Sequence, residues 1–305
     1  MKNQIKRLII GGWRTMVPKS ARNSMRLWLT FETPDRGPQL ITEFDDASVL
    51  VLAPHMDDEA IGLGGVIALH GRAGGRVTVV FATNGGAGDP ELNRKSLSPQ
   101  DRADQVGQLV ETRKQESRRS AQILGYQDLI FLDGPDGSLT ETSENIGALV
   151  KIMEERKPTK IYTPALTDNH RDHWATNRIL RQAIDRLPPE RAKAILIRGY
   201  EVWTPLPANR MADITAVVEL KRQAIEAFAS QTRYVDFSRT TLGLNQYRSM
   251  TTLNGQGYAE AFLEATAEEY RQMFDRIILQ QPFEAPAKSP VTTSTSVRAT
   301  PVAAM

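Results

Sequence analysis

The sequence predicts an α/β protein of the Rossmann type, with a mostly parallel sheet and helices on both faces. Short continuous apolar runs, typical of strands buried on both faces, alternate with stretches of helical periodicity. The 305 residues contain no internal repeat, and this length suits one large domain with appendages. We therefore expect ligands to bind beyond the carboxyl ends of the strands, where open α/β sheets hold them.

Five apolar runs are predicted strands, and helices are predicted between them. The strands are expected at residues 47–54, 76–83, 128–132, 160–163 and 194–198. Ser98 and Pro99 form a start signal, an N-cap and a first-turn proline, for a long helix that ends near Gly125. Another helix repeats apolar residues with a helical period over 146–153, and Pro158 ends it. The order βαβαβαβαβ implies parallel strands joined by helices.

Composition limits the classes of function. The chain has 38 Lys and Arg against 36 Asp and Glu, so no global field favours nucleic acid as the main partner. The absence of cysteine excludes disulfides, a cysteine nucleophile and thiolate metal sites. No apolar run approaches the roughly 20 residues that cross a bilayer, and the apolar patch at residues 8–10 is too short for a signal peptide. We expect a cytoplasmic enzyme whose metal, if any, is held by histidine and carboxylate.

Both ends of the chain are predicted to lie outside the folded domain, which we place at residues 46–281. Residues 1–31 carry seven basic side chains and no acidic one. The basic extension 1–45 either packs its tryptophans on the core or lies on an anionic membrane or a lipid-linked substrate. Beyond Phe283 the chain has no aromatic residue and is rich in Pro, Ser and Thr, so residues 282–305 are expected to form a disordered tail.

Acids and histidines are concentrated in two loops that follow predicted strands. The loop after the first strand reads His55-Met56-Asp57-Asp58-Glu59. The loop after the fourth strand reads Asp168-Asn169-His170-Arg171-Asp172-His173. Adjacent carboxylates repel one another unless a cation or protons neutralise them. Two histidines and one carboxylate are a known ligand set for catalytic zinc, so the two loops together predict a metal site.

Simpler interpretations of each loop remain open. His55 can be a strand-end histidine, and Asp57–Glu59 can be acids that the helix dipole favours at a helix start. Residues 168–173 can be a solvated loop that caps the helix beginning near Trp174. His70, inside a predicted helix, is expected to be structural.

Together the two loops resemble the signatures of the PIG-L/LmbE-like zinc N-deacetylases, the N-acetylglucosaminyl deacetylase type. Pro54–Glu59 resembles the His-Pro-Asp-Asp-Glu signature of that family, with Met56 in place of the usual proline. His170–His173 resembles its His-x-Asp-His signature. The resemblance runs from about Val49 to Phe262, and it implies the LmbE-like form of the α/β fold.

The resemblance also implies roles for individual residues. The zinc ligands would be His55, Asp58 and His173, with another divalent metal such as Fe²⁺ as an alternative occupant. Asp57 would be the general base that takes a proton from zinc-bound water. His170 would face the developing oxyanion as an imidazolium, with Asp172 keeping its pKa raised, and would set the basic limb of a bell-shaped pH profile.

Two further residues are implied to bind the sugar. Arg113 would contact it, or else would be a surface residue of its helix that pairs with Glu116. Asp89 would bond sugar hydroxyls, or else would only form a turn with Pro90.

The function these residues imply is zinc-dependent removal of an N-acetyl group from an N-acetylglucosamine-type sugar, a glycoconjugate or a lipid-linked glycan. Hydrolysis of a thiol-glycoside amide or deacetylation of a natural-product glycoside are alternatives within the same chemistry. A non-catalytic sugar-binding protein on the same fold is an alternative of another class, although Asp57 beside three ligands speaks against it. A nucleotide-binding Rossmann site is disfavoured because the third glycine of its motif would fall at Ile67 and acids would meet the pyrophosphate. Neither a P-loop nor a G-x-S-x-G motif occurs.

Overall fold

A computed structural model describes residues 37–44, 48–93 and 97–278 of the chain. Within these residues the strands are β1 (Gln39–Leu40), β2 (Val49–Ala53), β3 (Val77–Thr83), β4 (Asp128–Gly134), β5 (Lys160–Pro164), β6 (Leu196–Tyr200), β7 (Arg210–Asp213) and β8 (Ala259–Thr266). The helices are α1 (Asp58–Arg72), α2 (Pro99–Leu124), α3 (Ser143–Arg156), α4 (Arg171–Arg186), α5 (Pro189–Lys193), α6 (Val218–Glu226), α7 (Ala229–Thr232), α8 (Phe237–Thr252) and α9 (Ala267–Ile278).

The strands form one sheet in the order β1-β7-β8-β6-β5-β2-β3-β4. Only β8 runs antiparallel to its neighbours among the described strands, and all other adjacent pairs are parallel. The mostly parallel α/β fold is therefore confirmed, and each of the five predicted strands forms. The strands β1, β7 and β8, which complete the sheet beyond β6, were not predicted from the sequence.

The centre of the sheet is a topological switch point. From β2 the chain proceeds outward through β3 to β4 and then returns to β5, which pairs with β2 on its other side. Ligands bind at such a point because the loops leaving the two central strands diverge there. The loops that follow β2 and β5 carry the two clusters of acids and histidines, and the topology places them side by side.

Strand β2 divides the apolar core into two layers. Val49, Val51 and Ala53 contact the layer that includes α1 and α6, and Leu50 and Leu52 contact the opposite layer with α3, α4 and α9. All five are buried, because successive side chains of a strand point to opposite faces and both faces are covered here. This continuous apolar run therefore forms the central strand β2, and the first acidic loop follows it directly.

Helix α2 starts and ends as predicted. The Ser98 side-chain oxygen accepts the Asp101 backbone N–H at 3.1 Å, and Pro99 occupies the first turn. Gly125 ends the helix with a left-handed backbone conformation, φ 84°. The helix brings Arg113 against the first acidic loop, where it donates to the Met56 carbonyl.

A buried ion pair fixes helix α1 to the sheet. At Leu63 the backbone of α1 departs from helical geometry, with φ −147° and ψ 25°. The Glu260 carboxylate of β8 accepts the backbone N–H groups of Gly65 and Val66, both at 2.8 Å, just beyond this break. The same carboxylate accepts a hydrogen bond from Lys221 Nζ of α6 at 2.6 Å, and both charged side chains are fully buried. The backbone N–H groups next to the break in α1 are thus satisfied by the Glu260 carboxylate, whose charge is paired with that of Lys221.

The described part of the chain includes no helix that is long and apolar enough to cross a membrane. Gln39–Leu40 lies within the predicted extension 1–45 and pairs with β7 at the sheet edge. Residues 1–31 and the predicted tail 282–305 lie outside the described residues. The domain boundaries at 46 and 281 stay predictions.

The Lys221–Glu260 pair predicts a large loss of stability when one partner is removed. Lys221→Met leaves a buried carboxylate without its cation, which costs about 3–5 kcal/mol. We expect this loss in the free energy of unfolding, measured by urea denaturation with circular dichroism. Arg222→Met is the control, since Arg222 lies on the same helix and pairs with Glu219 and Glu226 in solvent. Equal losses in the two variants would contradict the structural role of the buried pair.

Candidate active site

Three histidine rings meet at the switch point. His55 follows β2, and His170 and His173 lie at the start of α4. The ring centroid of His170 is 4.7 Å from that of His55 and 4.9 Å from that of His173. One ring nitrogen from each of the three lies within 4.8 Å of the others. Residues more than a hundred positions apart in the chain thus form one cluster.

The Asp58 carboxylate joins two of these histidines. Its Oδ2 lies 3.2 Å from His55 Nδ1 and 3.3 Å from His173 Nε2, and it also accepts the His55 backbone N–H at 2.8 Å. Burial raises the pKa of this carboxyl, but the charges and hydrogen bonds of His173 and His55 outweigh burial and hold the pKa well below its usual range. Asp58 is therefore an ionised acceptor between two imidazoles.

Three more carboxylates surround the histidines. Asp136 Oδ1 and Asp172 Oδ2 each lie 3.2 Å from His55 Nε2, and Asp168 Oδ2 lies 3.3 Å from His173 Nδ1. Neither Asp136 nor Asp168 was predicted as a site residue. Asp136 follows β4 at the same edge of the sheet, so the rule that ligands lie beyond strand ends could have found it.

The donor set fits a divalent metal. Both ring nitrogens of the buried His173 lack an aligned hydrogen-bond partner among the described residues, which is a costly state for buried polar atoms. Lone pairs on imidazole and carboxylate are the ligands that zinc takes in proteins. The predicted ligands His55, Asp58 and His173 are in mutual contact through Asp58. Two other groups of donor atoms also lie within 4.8 Å of one another, His55 with His170 and His173, and His55 with Asp136 and Asp172, so the choice of ligands stays a prediction.

Asp57 differs from its neighbour Asp58 in backbone and in charge. Its φ of 143° lies in a region that non-glycine residues rarely adopt, and such strain is concentrated at functional sites. The Asp57 backbone N–H donates to the Glu59 carboxylate at 3.2 Å. Burial raises the pKa of the Asp57 carboxyl to about 7, against the lowering effect of Arg113, whose Nη2 lies 3.3 Å from Asp57 Oδ2. Asp57 can therefore exchange a proton near neutral pH.

Arg113 is buried beneath the first acidic loop and is not a surface residue of α2. Its Nη2 donates to the Met56 carbonyl at 2.6 Å, and its Nη1 donates to the Gly85 carbonyl at 3.1 Å. Glu116, the proposed surface partner, instead accepts hydrogen bonds from Ser230. The surface-pair alternative is therefore wrong. Arg113 ties together the loops after β2 and β3 and borders the cavity, and its contact with a sugar stays a prediction.

The structure corrects the expected partner of His170. The Asp172 carboxylate contacts His55 and accepts two backbone N–H groups from the loop after β4. The Asp172 backbone N–H, by contrast, donates to His170 Nδ1 at 3.2 Å, so Nδ1 is an acceptor and the ring proton lies on Nε2. Burial and the neighbouring His55 and His173 lower the pKa of His170 and outweigh the charges of Asp58 and Asp172, which raise it as predicted for Asp172. The ring is thus a neutral donor, where the sequence led us to expect an imidazolium.

Asp89 contacts Arg233 and Tyr234, and it does not border the cavity that lies over the histidines. Its carboxylate accepts hydrogen bonds from Arg233 Nη2 and the Tyr234 hydroxyl, both at 2.6 Å, and from the Glu91 backbone N–H at 2.8 Å. The last bond is the turn that the sequence offered as an alternative. Asp89 holds Tyr234, which does border the cavity, and its own contact with a sugar stays a prediction.

A cavity of about 330 Å³ opens over these groups. It is bordered by His55, Asp57, Asp58 and His170. Its border also includes the apolar and aromatic side chains Trp203, Tyr234, Val235 and Phe237. Trp203, with 51% of its surface exposed, was missed in the sequence, because nothing in its spacing links it to the two acidic loops. Polar groups of the histidine cluster and apolar side chains therefore border the same cavity.

Family comparison agrees with this arrangement. The PIG-L family, described as GlcNAc-PI de-N-acetylase, matches residues 50–184. The matched region begins in β2 and ends in α4, so it contains both loops of the histidine cluster, whereas α8 lies outside it.

Curated proteins that are similar to this chain include deacetylases. The chain is 29% identical over 202 residues to the diacetylchitobiose deacetylase of Thermococcus kodakarensis, covering 61% of this chain and 71% of that protein. It is 29% identical over 188 residues to the 1D-myo-inositol 2-acetamido-2-deoxy-alpha-D-glucopyranoside deacetylase of Mycobacterium sp. (strain KMS), covering 55% of this chain and 58% of that protein. The chain thus spans little more than half the length of the mycobacterial relative.

Solved structures share the fold of this chain. The N,N'-diacetylchitobiose deacetylase of Pyrococcus horikoshii matches with a TM-score of 0.60 and 24% identity, over 74% of this chain and 86% of that one. GalB, the 4-carboxy-2-hydroxymuconate hydratase of Pseudomonas putida, also matches with a TM-score of 0.60, at 21% identity over 72% of this chain and 95% of that one. Because one fold carries both activities, function has to be argued from the site.

The cluster predicts different metal contents for two histidine variants. His173→Ala removes a buried imidazole that contacts Asp58 and should lower the content of bound divalent metal, measured by plasma mass spectrometry after metal loading and desalting. His170→Ala is the matched control and should keep its metal. The Asp172 backbone N–H occupies His170 Nδ1, and the ring proton lies on Nε2, so neither ring nitrogen offers a lone pair to the metal. Full metal content in His173→Ala, or loss of metal in His170→Ala, would require the ligands to be reassigned.

The Arg113–Asp57 contact predicts the direction of a pKa shift. Arg113→Met removes the cation that favours the carboxylate, so the pKa of Asp57 should rise above about 7. The carboxyl-carbon chemical shift of Asp57 in metal-free protein, followed against pH, measures it. Arg119→Met changes an exposed cation of the same helix and should leave this pKa in place. An unchanged or lowered pKa in Arg113→Met would show that Arg113 does not control the Asp57 charge.

Proposed function

We propose that this chain is a zinc-dependent hydrolase that removes the N-acetyl group from an N-acetylglucosamine-type sugar, a glycoconjugate or a lipid-linked glycan. The observation that carries the proposal is a strained, buried carboxyl, Asp57, beside a cluster of histidines and carboxylates at the floor of an open cavity. A base with a pKa near 7 next to a metal-binding cluster suits hydrolysis of an unactivated amide. The activities of the curated relatives support the same reaction.

Zinc would be held by His55, Asp58 and His173. These residues supply two imidazoles and one carboxylate, a set that leaves a coordination position open. Bound there, zinc lowers the pKa of a water molecule and polarises the acetamide carbonyl. Asp168, at 3.3 Å from His173 Nδ1, would hold the orientation of the ligand ring.

Asp57 would move the proton. As a carboxylate it accepts a proton from the attacking water, and as an acid it returns that proton to the nitrogen of the leaving amine. Burial raises the pKa of Asp57 toward neutral pH, and a general base needs a pKa near the operating pH to accept and return a proton. Arg113 and the Glu59 carboxylate hold the side chain and the backbone of Asp57 in place.

His170 would stabilise negative charge on the acetamide oxygen. Its Nδ1 is already an acceptor, so Nε2–H is the group that can donate to this oxygen. A neutral imidazole is sufficient for this role, since donation depends on the position of the proton and not on a positive charge. His170 then sets no basic limb in the pH profile.

The alternative substrates share this chemistry. A thiol-glycoside amide or a natural-product glycoside would place the same acetamide over Asp57 and differ only in the group beyond the sugar. A non-catalytic sugar-binding protein would bind the same ligands but release no acetate.

The proposal also includes where the protein acts. We place it in the cytoplasm, with residues 1–31 in peripheral contact with a membrane.

Acetate release by variants tests the assignment. Asp57→Asn should keep zinc and lose about 10² to 10⁴ of the rate, because an amide cannot accept the proton. His170→Ala should keep zinc and lose about 10² or more, as removal of one oxyanion donor does elsewhere. Acetate released from N-acetylglucosamine oligomers measures both. No release by wild-type protein loaded with zinc would favour the binding protein, and wild-type rates in Asp57→Asn would reduce Asp57 to a helix-end acid.

A further inference from the structure

One buried carboxylate joins the histidine cluster to a distant loop. Asp168 lies between β5 and α4 and is 2% exposed. Its Oδ2 lies 3.3 Å from His173 Nδ1 and also accepts the Trp203 backbone N–H at 3.1 Å. Its other oxygen, Oδ1, accepts the His170 backbone N–H at 2.9 Å. A single side chain therefore contacts a candidate metal ligand, the start of α4 and a residue that borders the cavity.

The loop that carries Trp203 links β6 to β7 and is held at two places. Asp168 holds the Trp203 backbone at the histidine cluster. Farther along the loop, Arg248 of α8 donates to the Glu201 carboxylate and to the Leu206 carbonyl, the latter at 2.8 Å. The Glu201 carboxylate also accepts the Leu206 backbone N–H at 2.7 Å. The contact with Asp168 can therefore be altered while the contact with α8 stays in place.

Asp168 contacts the edge of the His173 ring that faces away from Asp58. Asp58 Oδ2 lies 3.3 Å from Nε2 of this ring, whereas Asp168 Oδ2 lies near Nδ1. An imidazole that binds a metal through Nε2 carries its proton on Nδ1 and gives it to a carboxylate or a carbonyl. Asp168 Oδ2 is placed to accept that proton. Asp168 thus acts on the metal through His173 and is not itself a ligand.

Two donors then meet at one oxygen. Asp168 Oδ2 would accept the proton on His173 Nδ1 and the Trp203 backbone N–H together. Hydrogen bonds that share a group in a buried site polarise one another, so a change in one bond alters the other. A metal that fixes the proton of His173 on Nδ1 therefore changes the hydrogen bond to Trp203.

We propose that Asp168 is a positioning residue that couples metal binding at His173 to the position of Trp203 at the cavity. The proposal rests on the proposed function in one respect, that zinc binds His173 through Nε2. The loop after β6 then responds to zinc although it supplies none of the proposed ligands. Asp168 thereby joins the metal-binding side of the cavity to its aromatic side.

The Trp203 backbone N–H is the direct reporter of this coupling. The chain has four tryptophans, so isotope-labelled tryptophan gives few backbone amide signals in a nuclear magnetic resonance spectrum. The signal that disappears in Trp203→Phe belongs to Trp203. We expect this signal to shift when zinc is added to metal-free wild-type protein. The titration needs no change at Asp168, so it tests the coupling even if variants of Asp168 do not fold.

Asp168→Asn separates the two oxygens of the carboxylate. The amide keeps an oxygen for the His170 backbone N–H but places an NH₂ group where Oδ2 was, and this group cannot accept from His173 or from Trp203. We expect zinc affinity, measured by competition with a chelator, to fall by about 10- to 100-fold. At saturating zinc the Trp203 amide signal should no longer respond to the metal.

Arg248→Met is the matched control, because it releases the same loop from α8 and leaves Asp168 in place. It should keep wild-type zinc affinity and the zinc-dependent shift of the Trp203 amide. Three results would overturn the coupling: wild-type protein that binds zinc without a shift at Trp203, a shift that persists in Asp168→Asn, or equal losses of zinc affinity in Asp168→Asn and Arg248→Met. Neither measurement uses a sugar, so failure of the deacetylase assignment is seen separately, as zinc-loaded wild-type protein that releases no acetate.

Discussion

Buried negative charge at the junction of β2 and β5 is the constraint on which the rest of the site depends. Five aspartates, Asp57, Asp58, Asp136, Asp168 and Asp172, surround three imidazoles in a space largely shielded from water. Charges in such a space must be paired, protonated or bound to a metal. Hydrogen bonds to the carboxylates raise the pKa of His55 well above its usual value although burial lowers it, so the cluster already draws positive charge toward itself.

The same environment gives two adjacent carboxyls opposite properties. Asp58 lies between His55 and His173 and stays ionised, whereas Asp57 faces the cavity with a pKa of about 7. Divergent pKa values within one cluster distinguish a ligand from a proton carrier. The backbone of Asp57 is strained, its carboxylate contacts Arg113, and Arg113 limits how far burial raises the pKa of Asp57. Local geometry thus separates two roles that the sequence places side by side.

The sequence was sufficient for the centre of the sheet and for the two loops. Apolar runs such as that of β2 are buried on both faces, and acids that follow a buried parallel strand have to lie at its carboxyl end. Other features depend on contacts between distant segments, which no local pattern encodes. The pairing of Lys221 with Glu260 and the contact of Trp203 with Asp168 are of this kind. The lowered pKa of His170 also escaped prediction, because it follows from burial and from the neighbouring His55 and His173, which other segments bring to the ring.

X-ray absorption at the zinc edge tests most directly whether the buried negative charge of the five aspartates is neutralised by a zinc ion bound to His55, Asp58 and His173. Spectra of zinc-loaded wild-type protein should fit a shell of nitrogen and oxygen at about 2.0–2.1 Å with two imidazoles. The spectrum of the His170→Ala variant should be the same. A shell with three imidazoles that falls to two in His170→Ala, or a shell of oxygen alone, would contradict the account.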